Sequence, residues 1–205
     1  MDPTNLIITS YNRTAQRYTD LYFHDQTDLP FVKKEFIARL PKNASVLDAG
    51  CGPGTFTQLF MGTNMRVTGI DLSDNMLTIA RKNVPNATFL KMDISTLTFP
   101  NASFDGIIAA YSLIHILTRQ VPKVLHGFHR ILTPNGILCI IGQKGEADHW
   151  MDDPDVPSEK MFFNFFTKER LSSFLTKAGF SILALEEQRN TSSFAEAYIY
   201  AVAKK

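Results

Sequence analysis

Apolar and polar positions along the chain alternate between two rhythms, one typical of strands and one typical of helices. Residues 31–40, FVKKEFIARL, carry apolar side chains at helical spacing with charges between them, and Pro41 predicts the end of that helix. Later runs such as GIIAAY at 106–111 and GILCII at 136–141 are apolar on both faces. Strands of that kind occur in parallel sheets covered by helices. The pattern predicts an α/β protein with a mostly parallel sheet.

The order of the predicted elements points to one sheet that ends in a hairpin. The last two strand-like runs are joined by the short connection RNTSS without a helix, so they should pair antiparallel. Ser73 stands at the N-cap position of a predicted helix. The predicted strands are 45–50, 66–72, 87–93, 104–112, 136–143, 180–188 and 195–205, and the predicted helices are 31–40, 55–62, 73–83, 121–132 and 167–179.

One long stretch follows neither rhythm. Residues 143–166, QKGEADHWMDDPDVPSEKMFFNFF, exceed an ordinary loop, and loops of this length often act as lids or binding elements. A plain surface insertion is the alternative, and both interpretations stay open. Because no repeat, low-complexity tract or linker interrupts the chain, we expect one domain over residues 1–205.

Composition narrows the class of protein without naming a ligand. Apolar residues make up 44% of the chain and charged residues 20%, and the formal charge is +1. That balance gives no sign of a nucleic-acid or membrane-surface partner. The two cysteines, Cys51 and Cys139, lack metal-type spacing, so we expect no metal and a reduced cytoplasmic protein. We see no secretory leader and no run of the roughly 20 apolar residues that span a bilayer.

The most informative short stretch is VLDAGCGPGT at residues 46–55. Glycine costs backbone entropy, so Gly50, Gly52 and Gly54 suggest left-handed torsions or a ligand pressed against the backbone. A strand followed by a glycine turn is expected to point backbone amides at a ligand above the strand's carboxyl end. Asp71 ends the next strand, 19 residues after Gly52, where an acid can accept both hydroxyls of a ribose.

The spacing up to this point allows two nucleoside cofactors, NAD and S-adenosyl-L-methionine (SAM). The glycines run G-x-G-x-G, whereas a pyrophosphate on a helix N-terminus is expected to need G-x-G-x-x-G. Asp48, just ahead of the loop, would repel a pyrophosphate but suit a ligand with an ammonium and a sulfonium. The carboxylate of Asp48 could act directly, through water, or by fixing the loop, and it could also merely hold the turn.

A series of motifs in order resembles the class I SAM-dependent methyltransferase family. The series is VLDAGCGPGT, VTGIDLSDNML, FLKMDIS and RILTPNGILCI, within residues 30–142. The resemblance implies a Rossmann-like three-layer fold around a seven-stranded sheet of order 3-2-1-4-5-7-6, with the seventh strand antiparallel. It also implies a methyl-transferring enzyme that releases S-adenosyl-L-homocysteine (SAH).

The resemblance also assigns contacts to the cofactor. It implies that Gly50, Cys51 and Gly52 approach the methionine part of SAM, near Asp48, while Asp71 takes the ribose hydroxyls. Four further residues are implied around the adenine, with ordinary core packing as the alternative for the first two: Leu72, Met76, Asp93 and Ile94.

The N-terminal segment is the third part of the implied site. In similar proteins a segment like YNRTAQRY covers the cofactor, which makes Tyr11 and Tyr18 candidate contacts and residues 1–40 a helical cap. Helix packing is the alternative for both tyrosines. The backbone at Ala110 and Tyr111 would face the methionine amino group.

Polar groups after the fourth strand are the candidates for the chemistry. The segment AAYSLIHI brings Tyr111, Ser112 and His115 to the place where the methyl group should project. His115 is the candidate general base because the intrinsic pKa of histidine lies near neutrality. A structural hydrogen bond is the alternative role for His115.

The acceptor is expected to be a small molecule. Family members that methylate amino groups of bases carry an Asn/Asp-Pro-Pro-Tyr-like run where this chain has YSLI, which disfavours a nucleic-acid substrate. Acids and aromatics within 143–166 could select a small acceptor as a lid, or the aromatics could simply pack there. Two other functions stay open, a non-catalytic SAM-binding module and an NAD-linked oxidoreductase.

Overall fold

The computed structural model describes residues 3–146, 148–152, 160–189 and 197–205. Within them the strands are β1 (Ser45–Ala49), β2 (Arg66–Asp71), β3 (Thr88–Lys91), β4 (Phe104–Ala110), β5 (Leu132–Gln143), β6 (His149–Asp152), β7 (Lys160–Phe163), β8 (Ser181–Arg189) and β9 (Ala197–Lys204). The α-helices are α1 (Thr4–Tyr22), α2 (Leu29–Phe31), α3 (Asp74–Asn83), α4 (Val121–Ile131) and α5 (Lys168–Lys177). No helix among these residues is both long enough and apolar enough to cross a membrane.

Seven of these strands form one sheet in the order β3-β2-β1-β4-β5-β9-β8. β1 pairs in parallel with β2 and β4, and β4 pairs in parallel with β5. β9 runs antiparallel to both β5 and β8, which confirms the predicted terminal hairpin. Counted along the chain within this sheet, the order is 3-2-1-4-5-7-6, as predicted.

Both faces of the sheet are covered by apolar layers, as the two-sided apolar strands predicted. Leu47 of β1 packs in the cluster that contains Val124 and Phe128 of α4. Its neighbour Val46 packs on the opposite face, in the cluster that contains Phe36. Successive side chains of a strand point to opposite faces, so β1 contributes to both layers.

The sheet has a topological switch point between β1 and β4. From β1 the chain winds outward to β2 and β3, whereas β4 starts the winding in the other direction. Asp48 of β1 lies beside Ile108 of β4. The connections that follow two such strands cross to opposite faces of the sheet, and a crevice opens beyond its carboxyl edge. The crevice is therefore the place where a ligand can approach the backbone.

The helical run before β1 matches its prediction. It combines α2, a π-helical turn at Val32–Phe36 and a 3-10 turn at Ile37–Arg39. Leu40 is already extended, with φ −78° and ψ 145°, as expected for a residue before proline.

The predicted helix at 55–62 forms only a 3-10 turn at Thr57–Phe60. Gly54 and Gly62 both have positive φ, 90° and 75°, so the run between them is too short for several helical turns. The hydroxyl of Thr57 also donates a hydrogen bond to the carboxylate of Asp48 at 2.6 Å, which holds this turn against β1.

An antiparallel hairpin that was not predicted lies within residues 143–166. β6 pairs with β7, with Trp150 opposite Phe162 and Met151 opposite Met161. HWMD and KMFF are too short for periodicity to identify them as strands. Apolar side chains of this segment, including Met161, pack with Ile114 in the chain that leaves β4.

Asn164 anchors the end of the hairpin to the segment that leaves β4. It is fully buried, and its backbone N–H donates to the Ile114 carbonyl at 2.6 Å. Its Nδ2 donates to the Ile116 carbonyl at 2.8 Å, while Arg170 donates to its Oδ1 at 3.0 Å. These bonds fix the described part of 143–166 beside the crevice.

Removing the Asn164 amide should destabilise the protein. Asn164→Ala leaves the Ile116 carbonyl without its side-chain donor and should lower the free energy of unfolding by about 2 kcal/mol. Urea titration measures the loss. Asn86→Ala is the matched control, because Asn86 is exposed and should change stability by no more than about 0.5 kcal/mol. Equal stability of the two variants would contradict the anchoring role.

Candidate functional site

A cavity opens at the carboxyl edge of the sheet, over the switch point, with α1 along one side. Every residue proposed for the site from the sequence lines this cavity, apart from two that lie behind it, Asp48 and Cys51. The lining members of that set are Tyr11, Tyr18, Gly50, Gly52, Asp71, Leu72, Met76, Asp93, Ile94, Ala110, Tyr111 and His115.

The three glycines of the loop after β1 are required for different reasons. A Cβ on Gly50, which has φ +82°, would lie 2.4 Å from the Cβ of Ser112, so the loop meets the chain that leaves β4. A Cβ on Gly54 would lie 3.1 Å from Val84 at the end of α3. Gly52 has φ +51° and lines the cavity, and a Cβ there would meet no protein atom within 4 Å. Of the three, Gly52 is the one whose missing side chain leaves open space beside the backbone.

The amides of this loop are used inside the protein, which corrects the expectation that they point at a ligand. The N–H groups of Gly50 and Cys51 both donate to the Ile70 carbonyl, at 2.8 and 2.9 Å. The N–H of Gly52 donates to Asp71 Oδ2 at 2.9 Å. The loop is thus bound to the end of β2 through these three N–H groups.

Asp71 lies at the end of β2 with its carboxylate held in place from two sides. Oδ1 accepts from the Ser73 N–H at 2.8 Å and Oδ2 from the Gly52 N–H. Burial raises the pKa of Asp71, and the backbone N–H donors act in the opposite direction. Each carboxylate oxygen has a second lone pair, so Asp71 can still accept hydrogen bonds from a ligand hydroxyl.

Asp48 and Cys51 support the site from behind. Asp48 is buried and accepts the Thr57 hydroxyl, and burial raises the pKa of Asp48 to about 7. The Cys51 side chain packs with Leu77 and Phe89, under the loop. The side chain of Cys51 thus packs in the core and is not part of the cavity lining.

Apolar side chains and a second carboxylate form the part of the cavity at β3. Met76 and Ile94 are buried, and Leu72 is half-buried. Asp93 accepts the Ser95 N–H on Oδ1 at 2.7 Å. An apolar slot with one carboxylate at its edge suits a flat ring that carries an amino group.

Tyr111 was predicted to be catalytic, but its hydroxyl is hydrogen-bonded inside the protein. Its backbone has φ +56°, rare for a residue other than glycine, and its hydroxyl donates to Asp28 at 3.1 Å. Tyr200 donates to the same carboxylate at 2.6 Å, and burial raises the pKa of Asp28. The hydroxyl of Tyr111 is thus hydrogen-bonded to Asp28. Sequence reasoning missed Asp28 because its two partners, Tyr111 and Tyr200, lie 83 and 172 positions away in the chain.

His115 connects α1 to the hairpin. Its Nε2 lies 2.7 Å from the Tyr11 hydroxyl, and its Nδ1 lies 3.0 Å from the Phe162 carbonyl on β7. Both Tyr11 and His115 line the cavity. The structure therefore brings the predicted base together with a tyrosine that the sequence had assigned to the cofactor.

Asn12 is a further residue that sequence reasoning missed. Its Oδ1 accepts from the Ser73 hydroxyl at 2.8 Å, and its carbonyl accepts from Asn75 Nδ2 at 2.7 Å. The same Ser73 hydroxyl accepts from the Met76 N–H, which confirms Ser73 as the N-cap of α3. Asn12 thus fastens α1 to the start of α3, next to Asp71. Its position within YNRTAQRY was the available signal.

Comparison with known proteins finds similarity to methyltransferases. A family model described as a methyltransferase domain matches residues 46–136. An uncharacterized methyltransferase of Synechocystis sp. is 29% identical over 146 residues, which covers 67% of this chain and 67% of the relative. A SAM-dependent Diels-Alderase of Talaromyces variabilis is 34% identical over 110 residues, 50% of this chain and only 37% of the relative.

A solved structure shows the same fold. The crystal structure of Burkholderia thailandensis 1,6-didemethyltoxoflavin-N1-methyltransferase contains 1,6-didemethyltoxoflavin and S-adenosylhomocysteine. It matches with a TM-score of 0.79 at 21% identity, covering 98% of this chain and 88% of that chain. At this identity the likeness establishes the architecture.

Two glycine substitutions should separate close packing from backbone torsion. Gly52→Ala adds only the cost of a left-handed torsion and should lower the free energy of unfolding by about 1–2 kcal/mol. Gly50→Ala adds an overlap with Ser112 and should cost at least about 1 kcal/mol more. Urea titration of both variants measures the difference. A Gly50→Ala protein as stable as Gly52→Ala would contradict the close approach of the two loops.

Asp48 should make stability depend on pH. Its pKa is raised from 3.8 to about 7, so the folded protein keeps a proton that the unfolded chain loses. The Asp48 carboxyl therefore contributes its full stabilisation below about pH 4, and this contribution is lost as the pH rises through about 7. Asp48→Asn removes the titration. Relative to wild type, the variant should gain up to about 4 kcal/mol between about pH 4 and about pH 8. A difference in the free energy of unfolding between the variant and wild type that stays constant across that pH range would contradict the raised pKa of Asp48.

Proposed function

Since the chain belongs to the class I SAM-dependent methyltransferase family, we propose that it transfers a methyl group from SAM to a small neutral acceptor. The observation that carries the proposal is the continuity of the cavity, whose lining includes both Asp71 and the pair Tyr11 and His115. The fold, the family model and the relatives all support SAM as the cofactor. No comparison gives support for an NAD-linked oxidoreductase.

The residues present fit SAM. Asp71 offers its carboxylate to the ribose hydroxyls, and the apolar slot around Met76 and Ile94 offers its surface to the adenine beside Asp93. Ser112 also lines the cavity, and its Oγ is buried without a hydrogen-bond partner among the described residues. When bound, SAM supplies a methyl group on a positively charged sulfur that leaves as a neutral thioether.

The contribution of the chain is to enclose and to align the reactants. The cap predicted over 1–40 is part of this proposal, and it is supported by α1, which lines the cavity and is tied to α3 through Asn12. The described part of 143–166 contributes a lid, through the contact of Phe162 with His115. Excluding water and holding the acceptor in line lower the barrier without any covalent step by the protein.

The acceptor in this proposal is small and carries no negative charge. Among the described residues that line the cavity none is lysine or arginine, whereas Asp71 and Asp93 are acidic. An anionic acceptor would therefore meet like charges without a counter-ion. The Burkholderia methyltransferase, which has the same fold, holds 1,6-didemethyltoxoflavin together with S-adenosylhomocysteine. Because Cys51 and Cys139 are free, buried thiols, we also place the protein in the cytoplasm.

Asp71→Asn should weaken the binding of the cofactor. The variant loses the charge that accepts the ribose hydroxyls, so isothermal titration should show a Kd for SAM and SAH raised by about 10- to 100-fold. Asp74→Asn is the matched control, since Asp74 is exposed, pairs with Lys91 and is not part of the cavity. Its Kd should match wild type.

Three outcomes would contradict this assignment: full SAM affinity in Asp71→Asn, binding of NAD by wild type, or no binding of SAM. Turnover separates an enzyme from a sensor. Release of SAH in the presence of a panel of neutral hydroxylated and amino-bearing heterocycles is expected. Consumption of a compound without release of SAH would favour the chemistry of the Talaromyces relative.

A further inference from the structure

The pair formed by Tyr11 and His115 specifies the kind of acceptor, an inference that rests on the proposed function. Tyr11 on α1 and His115 after β4 are side by side in the lining of the cavity. The Tyr11 hydroxyl oxygen lies 2.7 Å from His115 Nε2, and the two rings meet edge to face with centroids 5.3 Å apart. The pair therefore forms one hydrogen-bonded polar unit in the lining of the cavity.

The hydrogen bond to the hairpin fixes which nitrogen of His115 carries the proton. A backbone carbonyl can only accept, so His115 Nδ1, 3.0 Å from the Phe162 carbonyl, must be the donor. In the neutral ring Nε2 then has a lone pair and accepts the Tyr11 hydroxyl. The hairpin thus orients His115 as a proton acceptor directed at Tyr11.

Among the described residues, several apolar side chains line the same cavity as the pair. Ile7 of α1 packs against the same apolar cluster as Tyr11, and Ile8, Ile116, Thr4 and Gln120 also line the cavity. The ring of Phe163 lies beside that of His115 at a tilt of 52°, with centroids 5.2 Å apart. The ionisable groups that line the same cavity are Asp71, Asp93, Tyr18 and Tyr111.

We propose that Tyr11 and His115 form a proton relay for an acceptor that carries a phenolic or enolic hydroxyl on an apolar body. The acceptor hydroxyl donates to the Tyr11 oxygen. Its proton moves to Tyr11 as the Tyr11 proton moves to His115 Nε2. His115 becomes an imidazolium whose Nδ1–H stays on the Phe162 carbonyl, and the acceptor oxygen becomes the nucleophile.

The relay distinguishes a hydroxyl from an amine. A neutral amine attacks with its own lone pair and has no need to lose a proton beforehand, so this arrangement gives it little advantage. A phenol or enol keeps its proton at neutral pH and reacts far better as the anion. The anion forms only after binding, so a neutral compound enters a cavity that has no cation among its described lining residues.

The ionisation of a bound phenol tests the relay without turnover. The probe is p-nitrophenol, whose phenolate absorbs in the visible and whose neutral form does not, added to the protein saturated with SAH. At a pH below the solution pKa of the probe, wild type should raise its ionised fraction. Tyr11→Phe and His115→Asn should each lower that fraction by at least about tenfold.

The control variant is Tyr22→Phe, the same change on the same helix at an exposed position outside the cavity. It should ionise the probe as wild type does. The relay is overturned if wild type binds no p-nitrophenol, binds it only as the phenol, or if Tyr11→Phe ionises it as well as wild type. If wild type does not bind SAH, the proposed function itself is contradicted. A thermal melt of each variant identifies a folding defect.

The protonation of His115 gives a second readout in the protein without ligands. Nitrogen-15 NMR of the imidazole, at a pH where the ring is neutral, should show the proton on Nδ1 in wild type. Tyr11→Phe should keep that tautomer and shift the Nε2 resonance, because Nε2 loses its donor. A proton on Nε2 in wild type would overturn the relay whatever the result with p-nitrophenol.

Discussion

The close approach of Gly50 to Ser112 is the constraint on which the rest of the site depends. A Cβ at Gly50 would lie 2.4 Å from the Cβ of Ser112, so the chains leaving β1 and β4 can meet only because residue 50 is glycine. These strands flank the switch point of the sheet, where the crevice opens. The approach sets Gly52, Asp71 and the segment up to His115 around one cavity.

Two elements then close the cavity over the sheet. Asn12 fastens α1 to the N-terminus of α3, beside Asp71, and Tyr11 places the same helix against His115. From the other side Asn164 holds the hairpin segment on the chain after β4, and the Phe162 carbonyl orients the imidazole. The group suited to accept a proton is therefore positioned by backbone and side-chain contacts from three parts of the chain.

The sheet could be predicted because β4 and β5 are buried on both faces. Their sequences therefore contain continuous apolar runs, and this pattern can be recognised without knowing any contact. Asp71 could be located from its spacing to Gly52. The direction of a side chain could not: the hydroxyl of Tyr111 turns to Asp28 because the backbone takes φ +56°, a torsion that the letters AAYS do not encode. The hairpin stayed hidden because its short strands alternate too few residues to show a period.

The crystal structure of the protein in complex with SAH measures the central claim most directly. The ribose hydroxyls should lie within hydrogen-bonding distance of Asp71, the adenine between Met76 and Ile94, and the sulfur on the side of the cavity that holds Tyr11 and His115. A methyl group on that sulfur would then face the acceptor. SAH bound outside the cavity, or with its sulfur turned away from Tyr11 and His115, would contradict the assignment of this cavity as a methyl-transfer site.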